Sequence, residues 1–200
     1  MGLQAESAGM RRDMVGKSAK KSGQQEFFIS QIEATKRIVK TFSNTDEFSP
    51  AMLINSLLSL VILPFECAKK RNKERVFPGK YVDLIKKLSV TPSVFVPIKS
   101  CSGEKTEYGN KTIYVFVNKF RNGIAHQNLT VDIDEQRHIH ITVVNKFSCN
   151  NCKKCKKKCC EEKGLKKQGN SVVDFKIRVT VEELQKIALY IADAYLKVIS

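Results

Sequence analysis

The segment that most constrains the fold is "AMLINSLLSLVILPF", from Ala51 to Phe65, which is the most apolar stretch of the chain. Apolar residues cover almost every side of the helix that it predicts, so we expect this helix at the centre of the core. The segment is shorter than the about 20 apolar residues that a membrane-spanning helix needs. Polar residues and a proline also interrupt it: Asn55, Ser56, Ser59 and Pro64. A buried core helix is therefore predicted, and Pro64 should kink it or end its regular part.

Helical periodicity predicts four further helices. The first begins at Gln24, a shorter one runs from Tyr81 to Leu88, and a strongly amphipathic one runs from Lys111 to Ala125. The last helix follows a T-x-x-E capping box formed by Thr180 and Glu183. "SNTDEFSP" separates the first helix from the core helix, with Ser49 as the predicted N-cap. The predicted fold class is mainly α, a bundle of about five helices.

Two segments late in the chain change from helical period to the period of two that is typical of strands. "RHIHITVVNKF" and the stretch from Val173 to Val179 alternate in this way and predict a small β-hairpin. Residues 89–109 are predicted to be a loop with at most one extended piece. His138 and His140 share one face of the first strand. Exposed histidines are the favoured interpretation there, and contact with a substrate is the alternative.

The charge of the chain favours a polyanionic partner. Thirty-five Lys and Arg residues against 20 Asp and Glu give a net charge of +15 over 200 residues. Nucleic acid or an acidic membrane would suit this excess, and a merely soluble basic protein is the alternative. We predict a basic tail at residues 1–23 and a single domain at residues 24–200. No secretory signal or membrane span is recognised, so the expected location is the reducing cytoplasm, with no membrane partner.

The segment "KFRNGIAHQN", from Lys119 to Asn128, places an arginine and a histidine at the end of the amphipathic helix. Imidazole can take and give a proton near neutral pH, and guanidinium binds and stabilises phosphate oxygens. The pair suits cleavage of RNA, whose 2′-hydroxyl is its own nucleophile. On a straight helix, however, Arg121 and His126 lie roughly 140° apart. A bend at Gly123, a frayed end at Ala125–His126, or a second copy of the helix would be needed to aim both at one phosphate.

These residues also carry a resemblance to a known superfamily. "FVNKFRNGIAHQNLT" resembles the active-site helix of HEPN proteins, in which an arginine is followed by a polar residue and, after four to six positions, by a histidine. The upstream "LLSLVILPFE" and the downstream "ITVVN" and "FKIRVTVEEL" are similar to one subgroup of stand-alone HEPN nucleases of bacteria and plasmids. The resemblance covers about residues 24–198, and its specific core is some eight residues around Arg121.

The resemblance implies a HEPN-like helical domain that dimerises so that two motifs line one cleft. It implies metal-independent endoribonuclease activity, often in toxin or anti-phage defence, with RNA and an antitoxin or other regulator as partners. Arg121 and His126 would then be catalytic, with Asn122 in support, and no cofactor would be required for catalysis. A HEPN domain can also lose catalysis and persist as an RNA-binding or regulatory module. That alternative stays open on the sequence.

Neighbouring polar residues admit two interpretations each. Asn122 would orient the site by hydrogen bonding, or it is a solvated residue beside Gly123. Glu66 would pair with a basic residue inside the cleft, or it forms a surface salt bridge. Lys119 and Asn128 are predicted to contact the substrate, although Gln127 and Asn128 fit simple turn residues better.

The cysteine- and lysine-rich segment at about residues 148–171 is predicted to be an insertion in the hairpin connection. Its C-x2-C steps suit a structural zinc ion held by Cys149, Cys152, Cys155 and Cys159. An unmetallated flexible loop is the other main interpretation, and an iron–sulfur cluster fits less well because no proline follows the fourth cysteine. Its lysines would bind RNA phosphates: Lys153, Lys154, Lys156, Lys157 and Lys158. A zinc- or redox-responsive interaction protein is therefore a third hypothesis, beside the nuclease and the inactive module.

Overall fold

The computed structural model describes residues 23–42, 50–69, 73–92, 94–96, 111–148 and 171–199. In these ranges the helices are α1 (Gly23–Phe42), α2 (Pro50–Leu57), α3 (Leu63–Lys69), α4 (Lys73–Val76), α5 (Tyr81–Leu88), α6 (Ile113–Ala125) and α7 (Val181–Ile199). A π-helical turn, Leu58–Ile62, joins α2 to α3. The strands are β1 (Val94–Val96), β2 (Leu129–Ile133), β3 (Ile139–Ser148) and β4 (Ser171–Thr180). The fold class is mainly α, as predicted.

The helices with a clear apolar stripe lie where the sequence predicted them. α5 has the predicted bounds, and α6 begins two residues later than expected, after Thr112 as its N-cap. The whole predicted stripe of α6 is buried: Ile113, Phe116, Val117, Phe120 and Ile124. The capping box of α7 is also present, since Thr180 N donates to Glu183 Oε2 at 2.9 Å and Glu183 N donates to Thr180 Oγ1 at 3.2 Å.

The core helix is longer and less regular than the sequence predicted. Pro64 does not end it, because α3 continues to Lys69. Instead the regular part is interrupted before the proline, where Leu63 N donates to Leu58 O, five residues earlier. The continuous helical segment Pro50–Ala68 has 19 residues and a mean hydropathy of 1.8, which is enough by length and composition to cross a membrane. The expectation that it is too short was therefore wrong.

The placement of this helix nevertheless agrees with a core element. Leu53, Leu57, Leu60 and Val61 are fully buried in one hydrophobic cluster with residues of α1, α6 and α7. Met52 and Leu58 remain partly exposed on the opposite side. Burial of large aliphatic side chains against other helices is the main stabilising contribution that such a segment can make.

The predicted hairpin forms the centre of a larger antiparallel sheet with the strand order β1-β4-β3-β2. β3 pairs with β4 in the register Ile141 to Val179 and Val143 to Ile177. The extended piece expected in residues 89–109 is β1, which pairs with β4. β2 was not predicted, and it pairs with β3 through a short turn.

Gly123 allows α6 to lie very close to β3. A Cβ atom at this position would lie 2.6 Å from Val143 Cγ1 and 2.9 Å from Val144 O, so only glycine fits without displacing the strand. The α-helix runs through Gly123 to Ala125, so the bend considered for this position is absent. The glycine serves helix–sheet packing instead.

The C-terminal end of α6 is an ordered turn. Gln127 has a left-handed backbone with φ of 54°, and its N–H donates to Ile124 O at 3.0 Å. Asn128 N donates to Gly123 O at 2.9 Å, which completes a Schellman motif after His126 as the C-cap. Val144 N donates to Asn128 O at 2.9 Å and ties the turn to β3. The prediction that Gln127 and Asn128 are turn residues is confirmed.

Several predictions fall outside the described residues. They concern the basic tail, except Gly23, which begins α1, and the N-cap at Ser49. The predicted insertion, with its cysteines and lysines at 149–170, also lies outside.

Candidate functional site

Arg121 projects from α6 onto α3, where three groups surround its guanidinium. Nη2 forms an ion pair with Glu66 Oε1. Nη1 donates to Asn122 Oδ1 at 2.7 Å. The Cζ atom lies over the Phe65 ring, 5.9 Å from its centroid. The Arg121 side chain is 18% exposed and that of Glu66 is 37% exposed, so this is a partly sheltered pair at the edge of the core.

Phe65 provides a rigid platform for the arginine. It is 1% exposed and stacks on Tyr114 of α6, with centroids 5.6 Å apart and planes inclined by 11°. It also stacks on Phe77 at 6.3 Å. The sequence analysis missed this role, because an aromatic residue in an apolar helix predicts only core packing. The one sequence feature that could have indicated this role is the position of Phe65 beside Glu66, at the end of the most apolar helix.

One donor of Arg121 has no partner in the part of the chain that the structure describes. Its Nε atom is buried and makes no hydrogen bond there. A buried N–H without an acceptor generally costs about 1–3 kcal/mol relative to a satisfied one. The observed orientation therefore favours the two Nη contacts and the ring at the expense of Nε.

His126 caps the end of α6, and its side chain is exposed. Its backbone N–H donates to Asn122 O at 3.0 Å, which fixes the main chain at this residue. Arg121 and His126 make no hydrogen bond or ion pair with each other. α6 is helical through Gly123 to Ala125 and ends in an ordered turn, so the roughly 140° separation of a straight helix remains the expected separation of the two side chains.

The remaining predicted residues have different surroundings. Asn122 contacts Arg121 directly, as the prediction of an orienting residue requires. Lys119 forms an ion pair with Asp174, whose side chain is 3% exposed and also accepts a hydrogen bond from Asn145 Nδ2. Through these contacts, buried Asp174 joins α6 to β3 and β4, which favours a structural role for Lys119. Contact of Lys119 with a substrate stays a prediction. Asn128 is half-buried, and its predicted contact also stays a prediction.

A second polar cluster lies on the sheet, centred on Asp134. Its Oδ2 is 2.8 Å from His140 Nε2 and 3.3 Å from His138 Nδ1. These contacts, the bond with His140 above all, lower the pKa of Asp134 to about 2. His140 is buried with a residue exposure of 8%, so the favoured interpretation of an exposed strand histidine was wrong for it. It is correct for His138, whose side chain is 68% exposed.

An open cleft of about 510 Å³ lies beside this cluster, at the start of α7. Its lining includes Arg137, His138 and Glu182. Neither Arg121 nor His126 lines it. This cleft is thus separate from the predicted catalytic pair.

Metal binding has no support in residues 23–42, 50–69, 73–92, 94–96, 111–148 and 171–199. These ranges contain no group of three or more His, Cys, Asp or Glu side chains that could hold a metal ion. Cys67 is a half-buried free thiol. The predicted zinc ligands from Cys149 to Cys159 lie outside the described residues, and the zinc site stays a prediction.

Comparison with known proteins identifies the family. A family model described as HEPN pEK499 p136 matches residues 10–200. No curated protein and no solved structure matches the chain. The family match spans nearly the whole sequence, including the core helix, α6 and the sheet. The chain therefore belongs to the HEPN superfamily, in the family described as HEPN pEK499 p136, and this membership indicates a nuclease or other RNA-related role.

Proposed function

We propose that this protein is a metal-independent endoribonuclease that cleaves RNA with Arg121 and His126. The observation that carries the proposal is the arrangement at the end of α6. There a guanidinium is oriented by Glu66, Asn122 and Phe65, and an exposed imidazole stands on an ordered helix cap five residues later. Family membership supports the choice of RNA as the substrate.

The chemistry needs only the groups that these residues and RNA supply. The 2′-hydroxyl loses its proton to an imidazole and attacks the adjacent phosphorus, and the P–O5′ bond then breaks. A proton passes to the departing 5′-oxygen. The upstream fragment then ends in a 2′,3′-cyclic phosphate. The guanidinium of Arg121 donates hydrogen bonds to the phosphate oxygens as negative charge accumulates on them.

A homodimer is part of the proposal because side chains five residues apart on one straight helix are separated by roughly 140° around its axis. In a symmetric pair of copies, the arginine of one motif and the histidine of the other can face the same phosphate. The high positive charge of the chain, +15, supports a polyanionic substrate in such a cleft. A location in the cytoplasm and a role as a toxin or in anti-phage defence, controlled by an antitoxin or another regulator, complete the proposal.

A second candidate function is a non-catalytic RNA-binding or regulatory module of the same fold. The ion pair between Arg121 and Glu66 favours it, because a carboxylate already occupies part of the arginine's phosphate-binding capacity. Such a module would keep salt-dependent RNA binding without cleavage.

The test is cleavage of end-labelled single-stranded RNA in EDTA by wild type and His126→Ala. We expect wild type to leave 2′,3′-cyclic phosphate ends and the variant to be slower by about 10²–10⁴-fold, the usual contribution of a general acid or base. His138→Ala is a matched control, since it removes an exposed histidine that lies just before β3 and outside the motif. Equal cutting by wild type and His126→Ala would remove the catalytic assignment. Binding without cutting by either protein would favour the second candidate.

A further inference from the structure

We propose that Glu66 is a positioning residue for Arg121: it holds the guanidinium in the orientation needed to stabilise the phosphate during cleavage. This inference rests on the proposed function and names a residue outside the arginine–histidine motif. Glu66 belongs to α3, more than 50 positions earlier in the chain, and reaches the motif only through the packing of α3 against α6.

Three contacts restrict two different motions of the guanidinium. The ion pair with Glu66 at Nη2 and the hydrogen bond to Asn122 at Nη1 together oppose rotation about the Cζ–Nε bond. The Phe65 ring lies against the group and limits its tilt. Asn122 is the neighbour of Arg121 on the same helix and moves with it, whereas Glu66 is attached to another element. Of the two polar contacts, Glu66 is therefore the one that fixes the guanidinium relative to α3, the helix that also carries Phe65.

The buried Nε atom of Arg121 supports the same inference. An arginine that served only stability would be expected to offer this N–H to an acceptor or to water. Among the described residues it has no acceptor, while both Nη atoms are engaged. The Nη atoms still carry further hydrogens, since a guanidinium has five N–H donors. These remain to bind a phosphate once the group is held in place.

The charge of Glu66 predicts how its loss would divide between binding and catalysis. The carboxylate neutralises part of the positive potential at Arg121, so its removal should leave RNA binding as strong or strengthen it. The freed guanidinium would no longer be held in its reactive geometry, which lowers the rate of the chemical step. A lower kcat with an unchanged or lower KM is the signature of this role.

The chain offers a matched control for a general loss of an arginine–carboxylate pair. Arg178 of β4 pairs with Asp132 of β2, with side-chain exposures of 24% and 46%. This pair resembles that of Arg121 and Glu66 in exposure and chemistry, but it lies on the sheet. Asp132→Ala thus breaks a comparable contact without touching the motif.

The experiment compares Glu66→Ala, Glu66→Gln and Asp132→Ala in RNA cleavage under multiple-turnover conditions. We expect Glu66→Ala to lower kcat by about 100-fold, as misplacement of a catalytic group does, without raising KM. Glu66→Gln retains an acceptor oxygen for Nη2 and should recover most of kcat. Asp132→Ala should cut at the wild-type rate. Wild-type kcat for Glu66→Ala, a faster rate, or no recovery with Gln would overturn the proposal.

A second measurement tests the inference even if no RNA is cleaved. Nitrogen-15 NMR of the arginine side chains reports rotation about Cζ–Nε, because a held guanidinium gives separate signals for Nη1 and Nη2. Wild type and Glu66→Gln should show separate signals for Arg121, and Glu66→Ala should show one averaged signal. Averaging in wild type, or separate signals in Glu66→Ala, would refute the positioning role. Absence of RNA cleavage by wild type would instead count against the proposed function alone.

Discussion

Two arginine–carboxylate pairs in this protein have similar exposure but different bonding. Arg178 bonds to Asp132 along the edge of its guanidinium that carries Nε and Nη2. Nε lies 3.1 Å and 3.3 Å from the two carboxylate oxygens, and Nη2 donates to the same carboxylate. Arg121 divides its donors between Glu66 and Asn122 and leaves Nε without an acceptor in the described residues. The first is a forked pair with its edge satisfied, and the second is held but unsaturated.

Under the proposed function, this difference separates a contact that joins strands from one that holds a group ready for a ligand. The fork on Asp132, mainly through its hydrogen bonds, lowers the pKa of that carboxyl and raises the pKa of Arg178. Both shifts favour the charged pair, which links β4 to β2 across β3. Arg121 has neighbours that orient it, yet it retains donors for a phosphate. Under the proposed function, identical residue chemistry thus serves two purposes according to which donors the fold engages.

The largest effect expected from this comparison follows from replacing each arginine by lysine. Arg121→Lys should lower the rate of RNA cleavage by about 100-fold or more, because an ammonium cannot contact Glu66, Asn122 and a phosphate in one plane. Arg178→Lys should leave cleavage within about threefold of wild type, since the pair on the sheet contributes at most modestly to stability. Both variants are to be measured with the same RNA and compared after their melting temperatures are determined.

The comparison would fail if the two variants lost activity equally. Equal losses at unchanged melting temperature would mean that the pair on the sheet also supports the reaction. A loss confined to Arg178→Lys would reverse the assignment of the two pairs.

The next largest effect concerns the packing of α6, the helix that carries Arg121, against β3. Gly123→Ala should lower the free energy of unfolding by about 1–3 kcal/mol, the usual range for overpacking, because the new Cβ would contact Val143 and the Val144 carbonyl. Denaturant unfolding followed by circular dichroism measures this change. Gly23→Ala is the matched control, since nothing lies within 4 Å of a Cβ at that position, and it should cause no loss. Wild-type stability of Gly123→Ala would show that α6 can move away from β3 at little cost.

The smallest expected effect concerns the contribution of the ionised Asp134 carboxylate to stability. The pKa of Asp134 is lowered from 3.8 to about 2, so its contribution to stability is fully present above pH 3.8 and is lost as the pH falls through about 2. We therefore expect Asp134→Asn to be less stable than wild type at pH 7, and the difference to shrink as the pH falls from 4 to about 2. Urea unfolding at several pH values measures it, with Glu135→Gln as the control for loss of an exposed carboxylate. A difference that does not change over this pH range would contradict the assignment.

The sequence was most informative where local pattern and burial coincide. The stripe of α6 and the capping box of α7 were predicted residue by residue, because helical spacing and local hydrogen bonding determine both. The β3–β4 pair followed from alternation. The family match confirms the resemblance to the HEPN superfamily. The catalytic roles of Arg121, Asn122 and His126 stay predictions.

The features that the sequence did not predict depend on contacts between distant segments. β2 contains Asp132 and follows directly after the helix cap, so its pattern is short, and its strand character comes from pairing with β3. The sequence offers Gly123 as a possible bend, whereas its role is set by contacts with Val143 and Val144, 20 and 21 residues later. Glu66 was left with two interpretations, and only the packing of α3 on α6 provides its partner.

The π-helical turn Leu58–Ile62 has a consequence for the aim of the whole site. Such a turn amounts to one residue inserted into an α-helix. Each residue of an α-helix advances by about 100° around the axis, so winding the same residues as a regular α-helix would rotate Phe65 and Glu66 by that angle relative to α2. The direction of Phe65 and Glu66 toward Arg121 therefore depends on this wide turn as well as on the identity of the two residues. A related chain could keep the arginine, the histidine and the glutamate, form a regular α-helix here without losing a residue, and carry the same motif on a differently directed site.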